Sequence, residues 1–203
     1  MSLWAKPLLF LAAMVPLLLM VAALASNQLG PDPAQTLMHG TGEWAARLLI
    51  ASLLVSPLRA IFGWNALLRL RRMLGLFAFA YASLHLLLFI GFYLGWSLGR
   101  VGEELLERPY ITVGFLAWLI MLPLAATSNQ AMQRWLKRNW QRLHRAVYMV
   151  AVLVSFHILW QARSDLGEAL FYGLVFATLL IWRLIQFWKK QPFFRNFRLF
   201  DRS

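Results

Sequence analysis

The sequence predicts an all-α membrane protein, a bundle of six transmembrane helices, and three observations carry that prediction. The 203 residues are 61% hydrophobic and only 14% charged, whereas a soluble domain is about half apolar and a quarter charged. Six apolar stretches divide the chain, each near the roughly 20 residues that cross a hydrocarbon core, and no repeated alternation of polarity suggests a β-barrel. The basic residues gather in alternate loops. The net charge of +12 would by itself fit a nucleic-acid surface, but its placement on the chain removes that reading. There is no cysteine, which excludes disulfides, thiolate chemistry and cysteine-ligated zinc or iron–sulfur centres.

The first stretch, about 7–25, follows Lys6 and holds no charge. Its end, Ala23-Leu24-Ala25, also resembles a signal-peptide cleavage site, but the run is as long as a full span, so a retained helix is expected. The second, about 44–62, starts beside Glu43 and carries Arg47, which makes it the weaker one. The third, about 73–95, is the cleanest, with no charge between Arg72 and Arg100. The remaining three run about 110–126, 146–162 and 169–188. Trp44, Trp64, Trp96, Tyr110, Trp135, Trp140, Trp160 and Trp188 fall near span ends, where amphipathic rings favour the membrane interface. Loops are short, with neither an internal repeat nor a low-complexity segment, so residues 1–203 read as one domain.

Charge sets the expected orientation. Lys6, Arg59, Arg69, Arg71, Arg72, Arg134, Lys137, Arg138, Arg142, Arg145, Lys189, Lys190, Arg195, Arg198 and Arg202 make up 15 of the 20 basic residues, all on one side of the alternation. The other side holds Arg100, Arg108 and Arg163 beside most of the acids: Asp32, Glu103, Glu104, Glu107, Asp165 and Glu168. The positive-inside rule then places both termini in the cytoplasm. The basic loop between spans four and five could hold a cofactor phosphate or an acidic partner, though contact with lipid headgroups explains it equally well.

Four histidines stand out in so apolar a chain: His39, His85, His144 and His157. An ionisable group within a membrane is costly and usually faces a partner or cofactor. His85 lies about 18 Å into the third span and His157 about 16–17 Å into the fifth, at 1.5 Å per residue. Both spans run outward, so the two imidazoles sit at matching depth, somewhat past the midplane. Two neutral imidazoles at one level on neighbouring helices can ligate a haem iron from both sides. The alternative is that each histidine only bonds a neighbouring helix. Zinc is not suggested, because the histidines are spread over different depths.

His144, in Arg142-Leu143-His144-Arg145, lies about 20 Å before His157 along an ideal helix, a rise that suits a second haem level. The same helix would turn the two side chains to different faces, and the third span carries Arg71, Arg72 and Gly75 where a partner histidine would be needed. An interfacial histidine beside headgroups is the other reading. His39 precedes Gly40-Thr41-Gly42, with Thr41 expected as a helix cap and His39 solvated. Arg47 sits one turn from Glu43 and should pair with it; its functional alternative is to neutralise a haem propionate.

His39-Gly-Thr-Gly, Trp44-Ala-Ala-Arg47, Ser56-Pro57-Leu58-Arg59, Arg71-Arg72-Met73-Leu74-Gly75, the segment ending at His85, Leu143-His144-Arg145-x-x-Tyr148 and His157-x-x-Trp160 together resemble the MsrQ (YedZ) family. These are haem-binding membrane subunits of the bacterial MsrPQ protein-methionine-sulfoxide reductase system, within the ferric-reductase-like transmembrane group. The resemblance runs from about Leu37 to Trp188. It implies a multi-pass protein of the bacterial inner membrane carrying haem b, with FMN as a further family cofactor. Electrons would come from the quinone pool or a cytosolic flavin reductase. They would pass to the periplasmic molybdopterin reductase MsrP, which repairs oxidised proteins. On this resemblance His85 and His157 match the outer haem ligands and His144 the third family histidine. The missing second histidine on the third span departs from the related oxidases, and no Gly-rich phosphate loop places FMN.

About 15 residues follow the sixth stretch, too few for a flavin and nicotinamide domain of about 50 or more residues. The expectation is therefore an electron-transfer subunit that depends on a separate donor and acceptor and is not itself the catalytic subunit. Two alternatives remain from the residues: a ferric reductase or cytochrome b serving another oxidoreductase, and a haem-free transporter or assembly factor.

Overall fold

The computed structural model describes residues 5–162 and 166–189. Of the charges used above, Arg163, Asp165, Lys190, Arg195, Arg198 and Arg202 lie outside the described residues. Six helices are long and apolar enough to cross a membrane, and no strand occurs among the described residues. Helix α1 covers Ala5–Ala25, α2 covers Pro33–Phe62, and α3 covers Leu68–Leu88 and ends in a π turn, Phe89–Tyr93. Helix α4 covers Leu98–Glu107, α5 Pro109–Ala126, α6 Gln130–Leu136, α7 Arg138–His144, α8 Val147–Gln161 and α9 Leu166–Lys189. Spans one, two, four and six are α1, α2, α5 and α9; the third is α3 with its π turn, the fifth α7 with α8. The chain is a multi-pass membrane protein.

The second span differs most from expectation. It begins at Pro33 rather than near Trp44, because Asp32 caps it: its carboxylate accepts from the Gln35 N–H at 2.9 Å, and Pro33 occupies the first helical position. His39-Gly-Thr-Gly therefore lies inside a helix. Thr41 is not a cap; its hydroxyl is buried and donates to the carbonyls of Leu37 at 2.8 Å and Met38 at 2.9 Å. Both glycines had disguised the segment as a turn, since they lower helix propensity by about 1 kcal/mol each. The helix stops at Gly63, whose φ of 70° permits the left-handed cap.

The connections also carry structure that charge patterning alone did not reveal. Helix α4 is a surface helix between spans three and four, tied to α5 by the Thr112 hydroxyl on the Leu105 carbonyl and closed by a Glu104–Arg108 ion pair at 3.1 Å. The basic loop after α5 folds into α6 and α7, with Asn129 capping α6 through the Met132 N–H at 2.7 Å.

Helix α1 is fastened to the bundle by one side chain. Pro16 cannot continue the helix ladder, and its ring crowds the preceding turn. The Tyr81 hydroxyl from α3 inserts there, donating to the Ala13 carbonyl at 2.8 Å and accepting from the Leu17 N–H at 3.1 Å. Tyr81 is 2% exposed, so water cannot replace it. Tyr81→Phe should therefore destabilise the protein by about 1–3 kcal/mol, read as a lower detergent melting temperature; an unchanged melting temperature would remove the clamp.

The core is narrow. Ala78, Tyr81, Val150, Ala151 and Phe176 are almost fully buried, while leucines such as Leu19 and Leu174 stand exposed where lipid tails would cover them. Helix α2 packs mainly on α3, and α5 mainly on α8, with α3 touching α5 between the two pairs. That arrangement positions the site.

Candidate functional site

His85 lies in the last turn of α3, and His157 lies one turn before the end of α8. The structure brings these two together: their ring centroids are 6.3 Å apart, with planes at 78°. Each Nδ1 points to a backbone carbonyl on the partner helix of its own pair. His85 Nδ1 reaches Met38 O at 2.8 Å, and His157 Nδ1 reaches Tyr110 O at 2.7 Å. A carbonyl can only accept, so both Nδ1 atoms must donate. In a neutral imidazole that leaves Nε2 with its lone pair, the form that binds a metal.

One turn after each carbonyl stands a glycine that makes room for the ring. A Cβ built on Gly42 would lie 2.9 Å from His85 Nδ1, and one on Gly114 would lie 2.7 Å from His157 Nδ1. The two halves follow one register: each carbonyl precedes its histidine by 47 residues. Ser83 and Ser155, two residues before their histidines, each donate one turn back, to Phe79 and Ala151, at 2.8 Å. The sequence shows no overall repeat, yet the site is built twice, from α2–α3 and from α5–α8. The glycines and carbonyls escaped sequence reasoning; the matched spacing and the Ser-x-His in both halves were the available signals.

Two imidazoles bound to one iron from opposite sides, at about 2.0 Å per nitrogen, hold their centroids about 6.3 Å apart. The separation in this structure fits that geometry. Among the described residues no group of three or more His, Asp or Glu gathers as a metal cluster, so the pair fits a metal that arrives with its own equatorial ligands better than a bare ion.

The other expected residues are placed elsewhere. Arg47 pairs with Glu43 at 2.9 Å, as its spacing predicts, and also lies 3.8 Å from Glu168. Its Nε donates to the Tyr172 hydroxyl at 2.8 Å, and the guanidinium lies 5.1 Å from the Trp44 ring centroid. His39 is exposed. His144 ends α7, and the chain turns before α8 begins, so the ideal-helix angle to His157 does not apply. It stacks on Trp140 with centroids 3.9 Å apart, donates from Nδ1 to the Trp140 carbonyl at 3.1 Å, and sets Nε2 3.4 Å from Ser128 Oγ. No other described histidine ring stacks with it.

Comparison with known proteins agrees with the membrane-spanning helical fold. Residues 41–155 match a family model described as ferric reductase like transmembrane component. A protein-methionine-sulfoxide reductase heme-binding subunit MsrQ of Xanthomonas axonopodis pv. citri is 44% identical over 192 residues, covering 92% of this chain and 87% of that one. The MsrQ of Xanthomonas campestris pv. campestris (strain 8004) is 47% identical over 165 residues, covering 81% and 74%. That of Azospira oryzae is 46% identical over 183 residues, covering 89% and 78%. No solved structure matches the chain. On identity of this extent across a six-span helical chain, the protein belongs to the MsrQ family of the ferric-reductase-like transmembrane group.

Proposed function

We propose that the chain is the haem b electron-transfer subunit of a bacterial inner-membrane methionine sulfoxide reductase system, and that His85 and His157 would hold the iron of one haem. The observation that carries this reading is the facing pair of imidazoles, each with Nδ1 fixed on a carbonyl and Nε2 left to coordinate. Bound haem would supply a one-electron iron couple. With no cysteine to form a thioether, the group would be held by its ligands and packing alone, which is the b-type arrangement. FMN is proposed from the resemblance, without assigned residues.

The residues themselves do three things. The Met38 and Tyr110 carbonyls fix the tautomer and raise the basicity of both imidazoles. The apolar helices exclude water, which favours transfer between buried centres over side reactions. Arg47 places a cation on the side of the bundle that holds Glu43 and Glu168. By the positive-inside rule that side is periplasmic, where a propionate and the acceptor MsrP would both be met. The donor is the quinone pool or a cytosolic flavin reductase on the basic side.

The test is transfer itself. Detergent-purified chain, reduced and mixed with the periplasmic reductase, should be reoxidised only when methionine sulfoxide is present, and the His85→Ala protein should not. Reoxidation that ignores the reductase would favour another acceptor. Repeating the reduction with quinol, or with flavin reductase and a nicotinamide, identifies the donor.

Two further outcomes separate the remaining residues. Arg47→Gln removes a cation from the end of the bundle that holds Glu43 and Glu168 and should lower the haem midpoint potential; an unchanged potential would confine Arg47 to its Glu43 and Tyr172 contacts. His144→Ala should leave haem per protein unchanged, because no second imidazole stands beside it; a fall in stoichiometry would instead assign His144 to a second haem.

A further inference from the structure

At the basic end of the bundle a cavity of about 500 Å³ opens between the end of α2, the turn after it, the start of α3 and the last turns of α9. Arg59, Arg71 and Arg183 line it from three different helices, together with Asn65, Gln186 and the Trp182 ring. Each guanidinium has a neutral partner. Arg59 Nε donates to Asn65 Oδ1 at 2.8 Å, Arg71 Nη1 lies 3.4 Å from Ser56 Oγ, and Arg183 lies 5.1 Å from the Tyr148 centroid. Among the described residues no carboxylate lines the cavity, and every acid falls in the segments of the opposite end.

Topology alone asks only for basic residues at a membrane surface, where each charge is solvated singly. Here Arg71 and Arg183 are half-buried, and three like charges converge on one volume. Partly desolvated cations without a counter-ion are costly, and an anion that accepts from several guanidinium forks relieves that cost. The volume lies within the range of small-ligand sites, and the mixture of three cations, two amides and one aromatic wall suits a phosphate group with an attached organic body.

We infer that this cleft is a phosphate-binding site at the basic face of the bundle, independent of the histidine pair. Its phosphate belongs either to an anionic lipid headgroup of the adjoining leaflet or to a soluble phosphorylated molecule. The test is thermal unfolding of the purified full chain in detergent, titrated in parallel with dihexanoyl-phosphatidylglycerol and with inorganic pyrophosphate. The same titrations are made on Arg59→Gln/Arg71→Gln/Arg183→Gln. A third protein, Arg134→Gln/Arg138→Gln/Arg142→Gln, loses as much charge from the α6–α7 segment without touching the cavity lining.

The expected result is a saturable rise in melting temperature with one probe, lost in the cavity variant, kept in the loop variant and weakened by salt. A response to the lipid alone assigns the headgroup; a response to pyrophosphate assigns a soluble phosphate. Absence of a response to both probes overturns the site, as does an equal response in the cavity variant or an equal loss in the loop variant. Should the triple cavity variant not fold, exposed Arg59→Gln alone must weaken the response, and an unchanged response overturns the inference.

Discussion

Replacing either His85 or His157 with alanine is expected to abolish the low-spin haem absorption of the protein. Each imidazole is presented by a separate helix pair and held by a carbonyl on its own partner helix, so loss of either leaves the other without its counterpart. Loss of an outer-shell partner alone commonly weakens metal binding by about 10–100-fold, and loss of the ligand itself should exceed that. Haem per protein, measured on both variants beside the wild type, checks the expectation. A variant retaining the wild-type spectrum would show that its histidine only bonds the neighbouring helix.

The second large effect is expected where no ligand is touched. Gly114→Ala would bring a methyl group to 2.7 Å from His157 Nδ1 and 2.8 Å from Cε1, closer than side chains pack. The ring cannot retreat without giving up the Tyr110 carbonyl, which lies one turn earlier on the same helix. Overpacking of this kind costs about 1–3 kcal/mol, and here it falls on ring orientation. Gly114→Ala should therefore lose low-spin haem, and Gly42→Ala, with its nearest approach of 2.9 Å to His85, should lose less. Gly75→Ala is the control: its Cβ would meet only Ser52 Oγ at 3.8 Å, so haem content and spectrum should stay as in the wild type. If all three variants bind haem alike, the glycines are not clearances for the imidazoles.

Much of this architecture was legible in the sequence because membrane spans are written in composition. The charge-free run between Arg72 and Arg100 gave the third span, and both histidines could be placed at one level by counting residues. What composition hides is backbone chemistry. The Asp32–Pro33 start of α2 was masked by the glycines at 40 and 42, whose helix-weakening effect reads as a loop. The Tyr81 clamp on Pro16 depends on two distant segments meeting, as do the Met38 and Tyr110 carbonyls, and a carbonyl leaves no mark in the residue alphabet. Gly42 and Gly114 were visible as letters, but their purpose depends on which ring stands opposite. The angle counted for His144 assumed an unbroken helix, and a turn at Arg145 interrupts it.

The most direct measurement of the central claim is a reduced-minus-oxidised spectrum with quantified haem on the purified wild-type chain. Low-spin b-type bands at about one haem per chain, the outcome expected of a single pair of facing imidazoles, would support His85 and His157 as the ligands of an electron carrier. A well-folded helical protein with no haem would contradict the account and leave the paired histidines as helix-to-carbonyl contacts only.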